Sequence, residues 1–533
     1  MTSRNGSCCR LREFCLEAAR DISSDCAGGD VEPLSEVAGC ERPLVELLGR
    51  QATIVAKGAP FDAESFTLVS RRVDDLISIS YSKFYAYIFK DLPVCWRVLY
   101  TDASILKFSV LFLASSLAAD NCSVPPALPP KPDDALLEQL VQPLDLAIIL
   151  AGAAGTKRGR RWVEQAFCLL DMIFNTQQFD AGSESTAMNT RDDSHLSKRL
   201  KLSQSNASLN VWDAHASFKP TEPFTPPVKN PVMRVGQLSL ESFQFYMDRP
   251  TNLDLGPEPL IITGVTDDWP ARTTNPWCKP AYLLSRTLNG QRLVPVETGR
   301  SYVDEGWGQK IIPFAAFLEG YIDRSAISSS SDHDSSNSKQ AVDCSTTGSL
   351  HEQAPIAYLA QHQLFEQLPS LRDDIRIPDY CYTAPPPPPA SMFATTEQRP
   401  PELEDPILNA WFGPPGTITP LHTDPYHNML SQVVGRKYVR LYSHLQTPHM
   451  AARGVEDGVE MSNTSHFDVG VMEGWDEANG RDQDDGRPDT VEFRDIPFLD
   501  CILEPGDTLY IPVGWWHYIR GLSVSFSVSF WWN

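Results

Sequence analysis

Three residues of this chain have the types and spacing to hold a metal ion together. His422 and Asp424 form an H-x-D pair inside the stretch WFGPPGTITPLHTDPYHNMLSQVVGRKYVRLYS (411–443), and His517 lies in a second apolar stretch, EPGDTLYIPVGWWHYIRGLSVSFSVSFWW (504–532). On an extended strand, residues i and i+2 project to one face, so His422 and Asp424 can grip the same ion. A later strand that brings His517 alongside completes two imidazoles and one carboxylate on one side of a metal. Such a facial set leaves coordination positions open and suits the non-haem Fe(II) that works with an oxygen-donor cosubstrate and O2. A chain with 11 histidines also produces such triples among surface and core residues, so the neighbours must decide.

Those neighbours fit. Lys437, in the next apolar run, offers an ammonium to the far end of a dicarboxylate. Thr419 stands three residues before His422 and can add a hydroxyl to the same carboxylate. Asn428, four past Asp424, can add an amide.

Six motifs appear in order toward the C-terminus: YLAQHQLF (358–365), IPDYC (377–381), NAWFGPPGT (409–417), PLHTDP (420–425), GRKYVRLYS (435–443) and SFSVSFWW (525–532). With them, residues 230–533 resemble the JmjC family of 2-oxoglutarate oxygenases. Within it they resemble the subfamily of JmjC domain-containing protein five, also called lysine demethylase eight, a group of peptidyl-arginine hydroxylases. The resemblance implies Fe(II) on His422, Asp424 and His517, with 2-oxoglutarate and O2 as cosubstrates. It implies that Lys437, Tyr358 and Thr419 take the far carboxylate of 2-oxoglutarate, while Asn428 and Trp531 line its pocket. The stretch VPVETGRSYVDEGW resembles the subfamily's substrate-facing segment and places Glu297 and Trp307 in an arginine pocket, with Trp411 and Gln361 lining it. A carboxylate pairs bidentately with guanidinium and an indole stacks on its plane. One departure stands out: the expected Arg-Tyr pair reads Arg300-Ser301-Tyr302.

Two other readings share these residues. Removal of methyl groups from histone lysine uses the same iron chemistry, though Glu297 suits a guanidinium better and no Cys/His chromatin-reader cluster accompanies the domain. A non-catalytic transcriptional scaffold would be signalled by loss of a ligand, yet His422, Asp424, His517 and Lys437 are all present.

The elements that position this chemistry follow from the rest of the chain. At 533 residues, two globular parts with linkers are expected. The net charge of −23 argues against binding along nucleic-acid phosphates and is compatible with a basic, arginine- or lysine-bearing protein substrate. Twelve cysteines lack a paired C-x-x-C or zinc-ligand framework, which suits free thiols in a reducing compartment, in nucleus or cytoplasm. The longest apolar stretches, 105–118 and 144–155, are too short to span a bilayer and read as buried helices, so no membrane association is expected.

Residues 1–35 read as disordered and 36–178 as an all-α domain, with helical periodicity in LVELLGRQ, FTLVSRRVDDLISISYSKFYAYIF, SILKFSVLFLASSLA and RWVEQAFCLLDMIF. Partner docking or support of the catalytic half is the role expected of it. Residues 179–229 read as a linker, in which SKRLKLS (197–203), like TKRGRR (156–161), could direct nuclear import. The remainder, 230–533, alternates with period two in several strands and reads as a double-stranded β-helix, a cupin-like jelly roll. The chain is thus expected to be α+β and multidomain. Insertions are expected near 324–352, 382–404 (with five consecutive prolines) and 450–493; His427, His444, His449 and His466, in or near them, read as non-ligands.

Overall fold

A computed structural model describes residues 4–27, 36–37, 39–58, 62–87, 91–115, 117, 134–174, 217–304, 306–323, 355–388, 399–456, 458–477 and 490–533. The chain divides into two compact units: residues 1–205 with 287–293, and residues 206–286 with 294–533.

Six helices make up the first unit: α1 (Arg4–Cys26), α2 (Arg42–Ala56), α3 (Ala63–Phe84), α4 (Val94–Ala114), α5 (Asp134–Ala151) and α6 (Gly159–Phe174). The helical periodicity read from the sequence is realised in α2, α3, α4 and α6. Residues 4–26 of the stretch expected to be disordered depart from expectation, because Leu11, Cys15, Ala19 and Ile22 form a fully buried apolar stripe on α1. Cysteine and alanine hid that stripe in a Ser/Asp/Arg-rich segment. Within TKRGRR, Arg158 is buried and forks onto Asp102 at 2.9 Å through both Nε and Nη2, so part of that basic run is built into the fold. SKRLKLS lies outside the described residues, as does the whole 324–352 insertion. Among the described residues no helix is long and apolar enough to cross a membrane.

In the second unit the strands are β1 (Met233–Val235), β2 (Leu260–Thr263), β3 (Leu293–Thr298), β4 (Gly308–Pro313), β5 (Ala357–His362), β6 (Ile407–Gly413), β7 (Ile418–His422), β8 (His427–Val434), β9 (Lys437–Tyr442), β10 (Val455–Glu456), β11 (Val459–Glu460), β12 (Leu499–Leu503), β13 (Asp507–Ile511), β14 (Trp516–Gly521) and β15 (Ser525–Trp532). Nine form one sheet in the order β1-β2-β13-β8-β15-β6-β5-β3-β4, four form another in the order β12-β9-β14-β7, and β10-β11 is a small hairpin. Leu430, Leu509 and Ile511 from the larger sheet and Val439, Leu441, Cys501 and Leu503 from the smaller one share a single core cluster, so the two sheets face each other.

Each sheet is also covered on its outer face. Phe526, Val528 and Phe530 of β15 pack with Phe243, Leu283 and Leu284 from helices Leu240–Asp248 and Pro280–Arg286. Tyr438 and Tyr442 of β9 and Trp516 and Tyr518 of β14 pack with Met450, Phe467 and Phe493. The last strand therefore turns its apolar residues toward the helices and its serines toward the space between the sheets. There Ser529 Oγ accepts from Trp411 Nε1 at 2.9 Å and Ser527 Oγ donates to Gln432 Oε1 at 2.7 Å. The polar face of β15 is the functional side, and both faces are buried.

The linker expected to reach residue 229 ends sooner, since Phe218 is buried and its ring lies 5.7 Å from Phe412. Part of the polyproline run meets β8: His427 Nε2 lies 3.3 Å from the Pro386 carbonyl oxygen.

Candidate metal centre and its cavity

His422 ends β7 and His517 sits in β14 directly opposite it in the antiparallel register. Asp424 follows two residues after the strand's end. Its Oδ1 lies 3.5 Å from His422 Nε2 and its Oδ2 3.5 Å from His517 Nε2. One ligand atom from each of the three residues falls within 4.8 Å of the others, and among the described residues no other group of three or more His, Cys, Asp or Glu does so. His427, His444, His449 and His466 stand outside the group, as expected.

The two imidazoles are set by the same local device. His422 Nδ1 lies 2.7 Å from the Pro420 carbonyl, and His517 Nδ1 lies 3.0 Å from the Trp515 carbonyl. A carbonyl only accepts, so each ring carries its proton on Nδ1 when neutral and presents the Nε2 lone pair to the centre. Burial would raise the Asp424 carboxyl, but the His517 and His422 imidazoles outweigh it and hold the carboxyl well below the usual range. A cation bound at the two Nε2 atoms and the carboxylate would supply the positive charge that protons on Nε2 otherwise supply.

Thr419 reaches the same cavity although it lies three residues from His422, a spacing that alternation would send to the opposite face. The register explains this: His517 and Ile519, two apart on β14, oppose His422 and Thr419, three apart on β7. The extra residue is a β-bulge, which re-aims the side chains that follow it. A second bulge lies in β5, where pairing with β6 shifts between Leu359 and His362. It holds Gln361 at φ +47, a left-handed conformation that a non-glycine residue adopts at a cost of about 1 kcal/mol or more.

A cavity of about 220 Å3 opens beside the centre, lined by Glu297, Tyr302, Tyr358, Ala360, Gln361, Trp411, Ile418, Thr419, His422, Asp424, Pro425, Asn463 and Trp531. Of the expected site residues, His517, Lys437, Asn428 and Trp307 are not on this wall. His517 meets it through Asp424, and Lys437 through the Tyr358 hydroxyl, 3.0 Å from Nζ. Asn428 Nδ2 donates to Asp424 Oδ2 at 3.3 Å, so its clearest contact is with the metal-site carboxylate. Trp307 is 37% exposed and touches the wall through Nε1, 3.4 Å from Glu297 Oε2.

Two features show what the cavity lacks in itself. Lys437 is 1% exposed, no described carboxylate pairs with it, and burial alone pulls its ammonium down to about 7. Asn428 Oδ1 and Trp531 Nε1 are likewise buried without hydrogen-bond partners. An enclosed cation with unfilled polar neighbours fits an anionic ligand that carries further polar groups. At the other side, burial raises the Glu297 carboxyl while the Trp307 indole N–H lowers it. Burial also raises the Tyr302 phenol, offset by Thr464 and reinforced by the Asp424 and Glu297 charges.

The sequence model of the cupin-like domain family matches residues 251–533. The chain belongs to that family. The chain also aligns with curated relatives. Lysine-specific demethylase 8 of Danio rerio is 39% identical over 310 residues, 58% of this chain and 60% of that protein. Lysine-specific demethylase JMJ30 of Arabidopsis thaliana is 39% identical over 282 residues, 52% of this chain and 50% of that protein. Jumonji C domain-containing protein 5 of Drosophila melanogaster is 31% identical over 296 residues, 55% of this chain and 58% of that protein. The chain thus spans roughly half to three-fifths of each relative's length.

Tyr302 and Asn463 were not among the residues expected in the site. Tyr302 lies in the segment already singled out for Glu297 and Trp307. Asn463 gave no such signal, because it belongs to the 450–493 insertion, which looks like decoration in an acidic, Gly-rich stretch. Pairing explains its presence: Thr423 N donates to Asn463 O at 2.9 Å, Ser465 N donates to Leu421 O at 2.8 Å, and Thr464 bridges to His422.

Proposed function

We propose that the chain is an Fe(II)- and 2-oxoglutarate-dependent protein oxygenase that hydroxylates an arginine side chain of a protein substrate. The observation that carries this reading is the placement of a half-buried carboxylate, Glu297, in the same cavity as the His422–Asp424–His517 set. His422, Asp424 and His517 would hold the iron. Lys437, Tyr358 and Thr419 would take the far carboxylate of 2-oxoglutarate, with the Tyr358 hydroxyl placed between the ammonium and the Thr419 hydroxyl. Bound there, iron, keto acid and O2 supply the oxidising chemistry that hydroxylates a C–H bond. The protein's own part is to bind and orient. Glu297 attracts a cationic head, the Trp411 indole offers it a flat face, and the enclosing aromatic residues exclude water.

Demethylation of methyl-lysine stays as a second reading, because two of the relatives are named lysine-specific demethylases. The test supplies the purified chain with Fe(II), 2-oxoglutarate, and arginine- or methyl-lysine-bearing peptides, and reads succinate together with peptide mass. A gain of one oxygen on arginine, absent in His422→Ala, supports hydroxylation. Loss of a methyl group with formaldehyde release moves the assignment to demethylation. Iron-loaded protein that forms no succinate with any peptide counts against both.

A further inference from the structure

Arg300 occupies the position where the substrate-facing segment departs from the expected pattern, and it has an unusual number of partners. Its Nε donates to Asp304 Oδ2 at 3.0 Å, its Nη2 to Asp468 Oδ2 at 2.6 Å, and its Nη1 to Asp476 Oδ2 at 2.8 Å. A second guanidinium, Arg520 of β14, donates to that same Asp476 oxygen at 2.7 Å. Three carboxylates and two arginines thus form one cluster, with Arg300 21% exposed and Asp476 14%. The planar fork of arginine is suited to this, since it can serve three carboxylates at once where an ammonium is a single point.

The cluster joins two pieces of chain that each build the cavity. Residues 299–304 carry Tyr302 into the wall and turn back toward Trp307, whose N donates to Asp304 O at 3.3 Å. Residues 463–476 carry Asn463 into the wall, pair with β7 at Leu421 and Thr423, and form the turn of helix Val469–Met472, capped by Asp468. A direct polar link runs beside the ion pairs, Tyr302 Oη lying 3.4 Å from Thr464 Oγ1. The Arg300 carbonyl also accepts from Ile418 N at 3.0 Å, next to Thr419. Neither piece is itself a strand of the two main sheets, and each meets β7 only at its ends, 299–304 through Ile418 N and 463–476 through Leu421, His422 and the adjoining Thr423.

We infer that Arg300 is a positioning residue for substrate: it clamps the 299–307 segment to the 463–476 segment and thereby fixes Tyr302 and Asn463 in the cavity wall. Its role for an arginine-bearing substrate rests on the function proposed above, but the clamp itself does not. Removing the guanidinium frees the segment that carries Tyr302 while leaving His422 and His517 on their strands and Asp424 just past the end of β7.

The test compares the wild-type chain with Arg300→Gln, Arg300→Lys and the milder Asp304→Asn, which leaves Asp468 and Asp476 in contact. Three quantities are read: amide hydrogen exchange across 299–304 and 463–476, Co(II) affinity, and the affinity of an arginine-bearing peptide without O2. Arg300→Gln is expected to speed exchange in both segments and weaken the peptide by about tenfold each, with Co(II) affinity unchanged. Arg300→Lys is expected to restore part of both losses, and Asp304→Asn to show a smaller loss. Unchanged exchange in both Arg300→Gln and Asp304→Asn overturns the clamp whatever the peptide does. Equal loss of Co(II) affinity overturns it too, since that marks a general structural role. A wild-type chain that ignores arginine peptides, with a clamp that loosens as described, overturns the arginine assignment alone.

Discussion

Lys437 Nζ lies 3.0 Å from the Tyr358 hydroxyl, and through that hydroxyl a fully enclosed ammonium meets the cavity wall. Burial lowers the lysine to about 7 from an ordinary 10.5. Between those values the unfolded chain carries a proton that the folded chain does not, so stability of the ligand-free chain rises with pH across that window. A bound dicarboxylate reverses the balance by favouring the charged form. At pH 8, 2-oxoglutarate binding to the Co(II)-loaded chain is expected to take up close to one proton, and its affinity to fall as pH rises further. Calorimetry in buffers of different ionisation enthalpy reads the uptake, and Lys437→Met is expected to abolish it.

His517→Ala and Asp424→Ala each remove one of three ligand atoms, and Co(II) affinity is expected to fall by more than the ten- to hundredfold typical of a lost outer-shell partner. Asn428→Ala, which removes the 3.3 Å hydrogen bond to Asp424, is expected to fall within that smaller range. A titration of Co(II) absorbance separates the two classes. Similar losses in all three would show that Asn428 is as important to the metal as the ligands.

Glu297 offers its half-buried carboxylate to a cationic head, so Glu297→Gln is expected to weaken an arginine-bearing peptide by about 2 kcal/mol. Because the Glu297 carboxyl is raised, the wild-type affinity is expected to drop as pH falls through that raised value, while the glutamine variant stays flat there. Peptide titrations at several pH values check both.

Gly435 joins β8 to β9 at φ +67, and a Cβ there would run into the Val524 carbonyl and the Ser523 hydroxyl. Gly435→Ala therefore combines a left-handed strain with a backbone clash and is expected to cost about 2 kcal/mol or more. Denaturant midpoints measure it. An unchanged midpoint would mean that the turn rearranges freely, with Lys437 two residues away.

The metal set was legible in the sequence because His422 and His517 sit on strands whose period is fixed by the backbone and Asp424 follows β7 directly, with the six motifs giving the order of those strands. The jelly roll was legible for the same reason. Thr419 and Gln361 were named through neighbourhood and resemblance, not through that period, because local breaks in it place them. The β7 bulge puts Thr419 and His422 on one face, and the β5 bulge turns Gln361 into the cavity, but neither has a glycine to mark it. Asn463 enters through backbone pairing with β7, which does not depend on side-chain type and leaves no pattern to read. The stripe on α1 was missed because small and sulfur-bearing residues make it.

The carbonyls that orient His422 and His517 belong to Pro420 and Trp515, each only two residues away along the same chain. Ring orientation therefore travels with its own strand, and what remains to be matched is the alignment of β14 against β7. A slip of one residue would turn His517 to the opposite face, so a misaligned chain would have its rings correctly poised but unable to converge. Cation retention during refolding thus acts as a checkpoint: it separates molecules whose smaller sheet closed in register from those that merely collapsed.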